Sequence, residues 1–289
     1  MIEGRVSILI PARNEQYLSK TVEDIYTKAT GDIEVIAILD GYWPTDTLGV
    51  DIHPTLSVIH HDRSIGMRPS INEAVPYTTG EFILKCDAHC MFAPGFDEVL
   101  KADCEEDWLV VPRRYGLDPV YWKRDDEARD AHYLCYPFHA NVHRPALRGQ
   151  TWRSRGIERE AFLIDDEMTS QGSCWLMRKA YFERFGGLDD LHYGPFVHEF
   201  QEIGNRTWLS GGRVVINKKT WYAHWYKREG QGYILSPRQS HAGIDYTVDF
   251  WMNNRWPDRK YDFEWLIDKF WPVPGWPKDW KEKQCQRSA

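Results

Sequence analysis

The chain has 289 residues, 42% of them hydrophobic and 27% charged, with a net charge of −7 and a pI near 5.9. That balance fits a globular protein of one large domain or two small ones and excludes a protein that coats nucleic acid through charge alone. No stretch approaches the roughly 18 apolar residues of a membrane-spanning helix.

The opening MIEGR contains a sequence also used as a protease-cleavage site and is set aside. RVSILIPARNE then reads as a buried strand stopped by Pro11. QYLSKTVEDIYTKA spaces Leu18, Val22, Ile25, Tyr26 and Ala29 as a helix ending near Gly31. DIEVIAILDG is a second strand ending at Asp40, TLSVIHH a third, MRPSINEAVPYTT a helix, and GEFILKCDA a fourth strand. This alternation predicts an α/β fold with a mostly parallel sheet. Ligands of such sheets bind at the carboxyl ends of the strands, where this chain carries Arg13-Asn14-Glu15, Asp40 and Asp87-x-His89. After DWLVVPRR, residues Tyr115 to Glu167 show no clean period. SCWLMRKAYFERFGGLDD reads as a strand, a helix and a Gly-Gly turn, and EFQEIGNRTWLSGG as a helix ending at Gly211. RVVINKKTWYAHW reads as a strand ending at His224. The tail from Ser236 is rich in Trp and Pro, with one helix at DYTVDFWMNNRW. The expected organisation is a catalytic domain over residues 1–235, with 115–167 an acceptor-side insertion, and a helical or irregular extension over 236–289 packed on it.

Asp87 and His89 lie at i and i+2, so on a strand they point to one side. They are either a pair of metal ligands or a strand end turning to water. The six cysteines (Cys86, Cys90, Cys104, Cys135, Cys174 and Cys285) form no CxxC pair. They read as reduced thiols of a cytoplasmic protein, bacterial or viral, rather than a disulfide framework or a zinc site; no signal peptide precedes the first strand.

In order along residues 5–230, VSILIPARNE, AILDG, CDAH, MTSQGSCWLMRKAYFERFGGLDD, HEFQEIGNRTWLSGG and AHWYKREGQGY resemble the motifs of family 2 nucleotide-sugar glycosyltransferases of the GT-A fold. CDAH is similar to their Asp-x-Asp metal motif with His in the last place, a variant characteristic of the polypeptide N-acetylgalactosaminyltransferases. The resemblance implies a UDP-sugar donor and a divalent cation, Mn2+ or Mg2+, held by Asp87, His89 and His224. Such an ion stabilises a departing diphosphate as a Lewis acid, and imidazole shifts the preference toward Mn2+. It further implies a donor site formed by Pro11, Ala12, Arg13, Glu15, Asp40, Arg68, Asp87, Ala88, Trp175, Tyr226 and Arg228, with Asp40 reaching the uracil or ribose. Glu199 and Glu202 would position the donor sugar or steady developing positive charge.

Inverting relatives carry Glu-Asp on the helix that begins here at Glu199, and the Asp is the general base. Phe200 stands in its place and cannot take a proton. The expectation is retention of anomeric configuration, with the leaving phosphate taking the acceptor proton; His198, where relatives carry Gly, is the alternative base. The acceptor is left open among a glycan, a protein and a hydroxylated base of phage-like DNA, the last suggested by the Arg-rich RPALRGQTWRSRG with its interleaved aromatics. A nucleotide-sugar-binding module without catalysis is the competing class.

Overall fold

The computed structural model describes residues 1–138, 146–227 and 237–288, without the side chains of 237–240 and 285–288. Its first strand, β1 (Ile2–Ala12), begins earlier than expected: Ile2 pairs with Gly80 and Gly4 N–H donates to Glu81, so the residues set aside belong to the sheet. There follow α1 (Leu18–Lys28), β2 (Ile33–Asp40), β3 (Leu56–His61), α2 (Met67–Ala74), β4 (Gly80–Cys86), β5 (Cys90–Phe92), α3 (Phe96–Ala102) and β6 (Trp108–Asp118). Next come β7 (Lys123–Arg124), β8 (His132–Leu134), β9 (Gly149–Thr151), α4 (Arg153–Glu158), β10 (Ile164–Asp166), β11 (Cys174–Arg178), α5 (Lys179–Arg184), α6 (Glu199–Leu209) and β12 (Arg213–His224). The tail holds α7 (Pro237–Met252), α8 (Phe263–Lys269) and α9 (Trp280–Ser288).

Ten strands form one sheet in the order β10-β12-β6-β11-β4-β1-β2-β3, with β5 on β12 and β7 on β6. β1, β2, β3, β4, β6 and β12 share one direction, while β5, β7, β10 and β11 run against their neighbours. The central strands are near-continuous apolar runs because both faces are covered. Alternate residues divide between two cores: Ile8, Ile10, Val35 and Leu84 pack beneath α1 and α3, while Leu9, Ile36, Ile38 and Ile83 pack beneath α2, α5 and α6.

Three expectations need correction. The 115–167 stretch is not irregular: β6 continues to Asp118, and four more short elements follow before β10 closes the sheet edge. Such short pieces carry too few residues to show a period. Residues 90–102, given no element in the sequence reading, form β5 and α3. The tail holds three helices rather than one, and Trp251, Trp256, Phe263, Phe270, Trp276 and Trp280 join the core beneath α6. Much of the tryptophan content is therefore core. Cys86, Cys90, Cys104, Cys135 and Cys174 are buried free thiols.

Candidate functional site

The common strand direction places the ends of β1, β2, β4 and β12 on one edge of the sheet. β4 stops at Cys86, the chain crosses Asp87 and His89, and β5 turns back to pair with the end of β12, setting His224 opposite Cys90. That short return brings His224 to the Asp87-x-His89 pair across 137 residues of sequence. His224 Nε2 lies 3.1 Å from Asp87 Oδ2 and 3.1 Å from His89 Nε2, and His89 Nε2 lies 3.9 Å from Asp87 Oδ2.

These three atoms form a donor set of one carboxylate oxygen and two imidazole nitrogens. A point equidistant from all three lies about 2.0 Å from each, as the three separations require, at the short end of the range of divalent-metal bonds to nitrogen and oxygen. His89 Nδ1 lies 3.1 Å from Glu15 Oε2. That contact assigns the proton to Nδ1 and leaves the Nε2 lone pair facing the cluster. Burial lowers His224 to about 4, so its imidazole is neutral near pH 7. Burial alone would raise Asp87, but the Lys85 charge and the His224 contact outweigh it and hold this carboxyl well below its usual range. A divalent cation among these three atoms would take the place of the His224–Asp87 hydrogen bond and receive the lone pair of His89 Nε2. The residues fit a divalent ion.

A cavity of about 270 Å³ opens beside the cluster. Of the expected donor-site residues, Pro11, Ala12, Arg13, Glu15, Asp40, Asp87, Ala88 and Tyr226 line it, together with His89 and His224. Met67, Phe196, Trp225 and Lys227 line it as well and were not expected. Asp40 reaches the cavity wall with its acceptors already engaged. Oδ1 accepts from Ile65 N–H (2.7 Å) and meets His61 Nδ1, and Oδ2 accepts from Ser64 Oγ (2.6 Å) and Gly66 N–H. Its first role in this structure is to hold the 61–66 loop.

Four expected residues sit behind the cavity rather than on it. Arg68 is fully buried, pairs with Glu202 and donates to the carbonyls of Val197 and Asp189, so it is turned away from any diphosphate. Glu202 also pairs with Arg206 at 2.6 Å and accepts from Asp189 N–H, which makes it a scaffold acid. Trp175 is buried and donates its indole N–H to Glu199 at 2.6 Å. His198 precedes α6 in the left-handed region at φ 53°, and its Nδ1 meets Thr247 Oγ1 at 2.9 Å. Burial, with Arg68 and Arg148 adding to it, lowers His198 to about 4. Arg228 lies outside the described residues.

Glu199 does not line the cavity but is tied to it. Its Oε2 lies 3.1 Å from Lys85 Nζ, and the same Nζ lies 2.7 Å from Asp87 Oδ1. Burial raises the Glu199 carboxyl, and Lys85 and Trp175 offset that only in part. Sequence reading missed Lys85. The available signal was a single charge inside the apolar run FILKC, two residues before Asp87 and on the same side of the strand. Within the Arg-rich segment, Arg153 pairs with Glu127 and Arg155 stacks on Trp152 and Phe270.

The mostly parallel sheet carries the Asp-x-His pair at its carboxyl edge, as the resemblance to GT-A glycosyltransferases implies. The sequence pattern described as Glycosyl transferase family 2 matches residues 7–186, and the chain belongs to that family. The structure is similar to that of GalNAc-T7 with UDP, GalNAc and Mn2+, with a TM-score of 0.70 and 14% identity over 92% of this chain and 56% of that one. It is also similar to S. aureus TarS, with a TM-score of 0.58 and 13% identity over 91% of this chain and 41% of that one. Residues 1–349 of S. aureus TarS in complex with UDP-GlcNAc give a TM-score of 0.57 at 14% identity, over 91% and 69%. The chain thus spans about half the length of the first two, and at these identities the likeness concerns the fold. A search of curated protein sequences gives no match. Among the described residues, no helix is long and apolar enough to cross a membrane.

Proposed function

We propose that this chain transfers a sugar from a UDP-sugar to a hydroxyl acceptor, uses a divalent cation held by Asp87, His89 and His224, and retains the anomeric configuration. The observation that carries the reading is the convergence of those three side chains beside a cavity at the carboxyl edge of the sheet. Family membership supports the reaction class, and the GalNAc-T7 and TarS structures, which hold UDP with Mn2+ and UDP-GlcNAc, support the donor class.

When bound, the cation supplies positive charge to a departing diphosphate. The protein's own part is orientation. Glu15 fixes the tautomer of His89, and Lys85 holds one oxygen of Asp87. The placement of the acids among the described residues supports retention. Phe200 is buried in the core beneath α6 and offers no base. Glu15 is paired with His89 and Lys227, and Asp40 is engaged by the 61–66 loop. Asp87 faces the histidines. The best remaining proton acceptor is the β-phosphate oxygen of the donor itself, on the face that the sugar leaves.

Incubation with a panel of UDP-sugars and Mn2+, followed by UDP release, tests the reaction class. Release that survives complete chelation of divalent ions would remove the metal from the proposal. The anomeric proton coupling of the product reads the stereochemistry: an α-donor giving a β-product contradicts retention and returns His198 as the base.

A further inference from the structure

The buried lysine beneath the candidate metal cluster enters the reading above only as the group that holds one oxygen of Asp87. Lys85 is 2% exposed and sits on β4 two residues before Asp87. Its ammonium has three protons and three partners: Asp87 Oδ1 at 2.7 Å, Glu199 Oε2 at 3.1 Å and the carbonyl of Gly172. The last two are locked in place. Glu199 Oε1 accepts from Trp175, and a Cβ at residue 172 would fall 2.6 Å from Glu199 Oε2, so only glycine admits this approach. The ammonium is therefore fixed, and it fixes Asp87 in turn.

We infer that Lys85 is a positioning residue that limits Asp87 to one-oxygen ligation and so sets which cation the site accepts. The inference rests on the metal reading above. With Oδ1 held by Lys85, only Oδ2 faces His224 and His89. One oxygen and two imidazole nitrogens suit a first-row transition ion such as Mn2+. Ca2+ instead takes six to eight oxygens and readily uses both oxygens of a carboxylate. Lys85 thus withholds the second Asp87 oxygen and neutralises the nearby Glu199, two features that would otherwise make the site richer in oxygen and negative charge. The bridge also joins the metal cluster to the first residue of α6 through one ammonium.

The test is a competition between Mn2+ and Ca2+ read by electron paramagnetic resonance, in which Mn2+ displaced into solution regains its sharp six-line signal. No substrate and no turnover are involved. Lys85→Gln should lower the preference for Mn2+ over Ca2+ by at least about tenfold, the lower end of what residues behind a metal ligand contribute. Because the single change leaves Glu199 buried without its partner, the double variant Lys85→Met with Glu199→Gln is measured beside it. That pair removes both buried charges and should show the same loss of preference, whereas a merely structural lysine would change thermal stability without changing the ratio. Lys85→Arg, which keeps a cation at the bridge, should keep most of the preference. Wild-type protein that binds Mn2+, with an unchanged ratio in the Gln and double variants, overturns the role of Lys85 alone. Wild-type protein that binds no Mn2+ overturns the metal reading itself.

Discussion

Two buried ionic networks meet on helix α6, and they are built to opposite ends. Glu199, at its first position, joins Lys85 and through it Asp87, whose side chain remains 29% exposed at the cavity. Glu202, one turn further, joins Arg68 and Arg206 in a cluster sealed from solvent. Both networks contain acids, cations and short contacts. The sealed one satisfies both oxygens of its acid within the protein, whereas the open one ends at the cavity; among the described residues each leaves one buried nitrogen without a partner, Arg206 Nε and His224 Nδ1. The acid of the first network is matched on both oxygens and serves as scaffold, while Asp87 of the second keeps part of its carboxylate at the cavity.

The largest expected effect breaks the sealed side. Glu202→Ala leaves Arg68 buried without its carboxylate and should cost about 3–5 kcal/mol of stability, measured by denaturant unfolding, while any folded fraction keeps its affinity for Mn2+. Asp87→Ala should do the reverse. Turnover should fall by about 10²–10³-fold, equivalent to about 3–4 kcal/mol of transition-state stabilisation, with loss of Mn2+ binding and a smaller loss of stability than in Glu202→Ala, since Lys85 keeps Glu199 and Gly172. If Asp87→Ala keeps full metal-dependent UDP release, the open network is not the metal site.

Acid should discriminate more gently. His198, beside the sealed network, is lowered to about 4 by burial, and burial also pushes His132 well below its ordinary value. A histidine whose folded pKa lies below its unfolded value takes its proton first in the unfolded chain. Its contribution is therefore complete above about pH 6.5 and is lost as pH falls toward about 4. In metal-free protein His198 alone should account for about 3 kcal/mol of stability across that window, and His198→Gln should remove that share of the slope. An unchanged slope in that variant would mean His198 is not the titrating group. The smallest effect belongs to Asp40. Asp40→Ala strands the donors of Ser64, Ile65 and Gly66 and should cost about 1–2 kcal/mol of stability. UDP affinity, followed by calorimetry, should weaken only as far as the loop moves. A loss of UDP affinity with stability intact would instead favour direct contact with the nucleoside.

The sequence carried the succession of strands and helices over the first ninety residues because β-branched runs, helical spacing and terminal acids all agreed there. It also carried the grouping of Asp87, His89 and His224, since each ends or follows a strand of common direction. It could not separate Glu199 from Glu202, because a motif fixes residue types and not where their partners lie. Arg68 was misplaced for the same reason: its charge is answered by an acid 134 residues away. Lys85 was hidden because a lysine in a strand ordinarily turns to solvent, and only the glycine at 172 and the acid at 199 make this one an interior bridge. β5 has three residues, too few to declare itself, yet it is the element that carries His224 to its partners.

That three-residue return has a consequence for the order in which the protein is made. During synthesis the chain emerges N-terminal end first, and Asp87 and His89 leave the ribosome long before His224 follows, 137 residues after Asp87. A nascent chain that ends short of β12 holds two of the three ligands and no partner strand for β5. The three side chains proposed to hold the cation therefore come together only once β12 has joined the sheet.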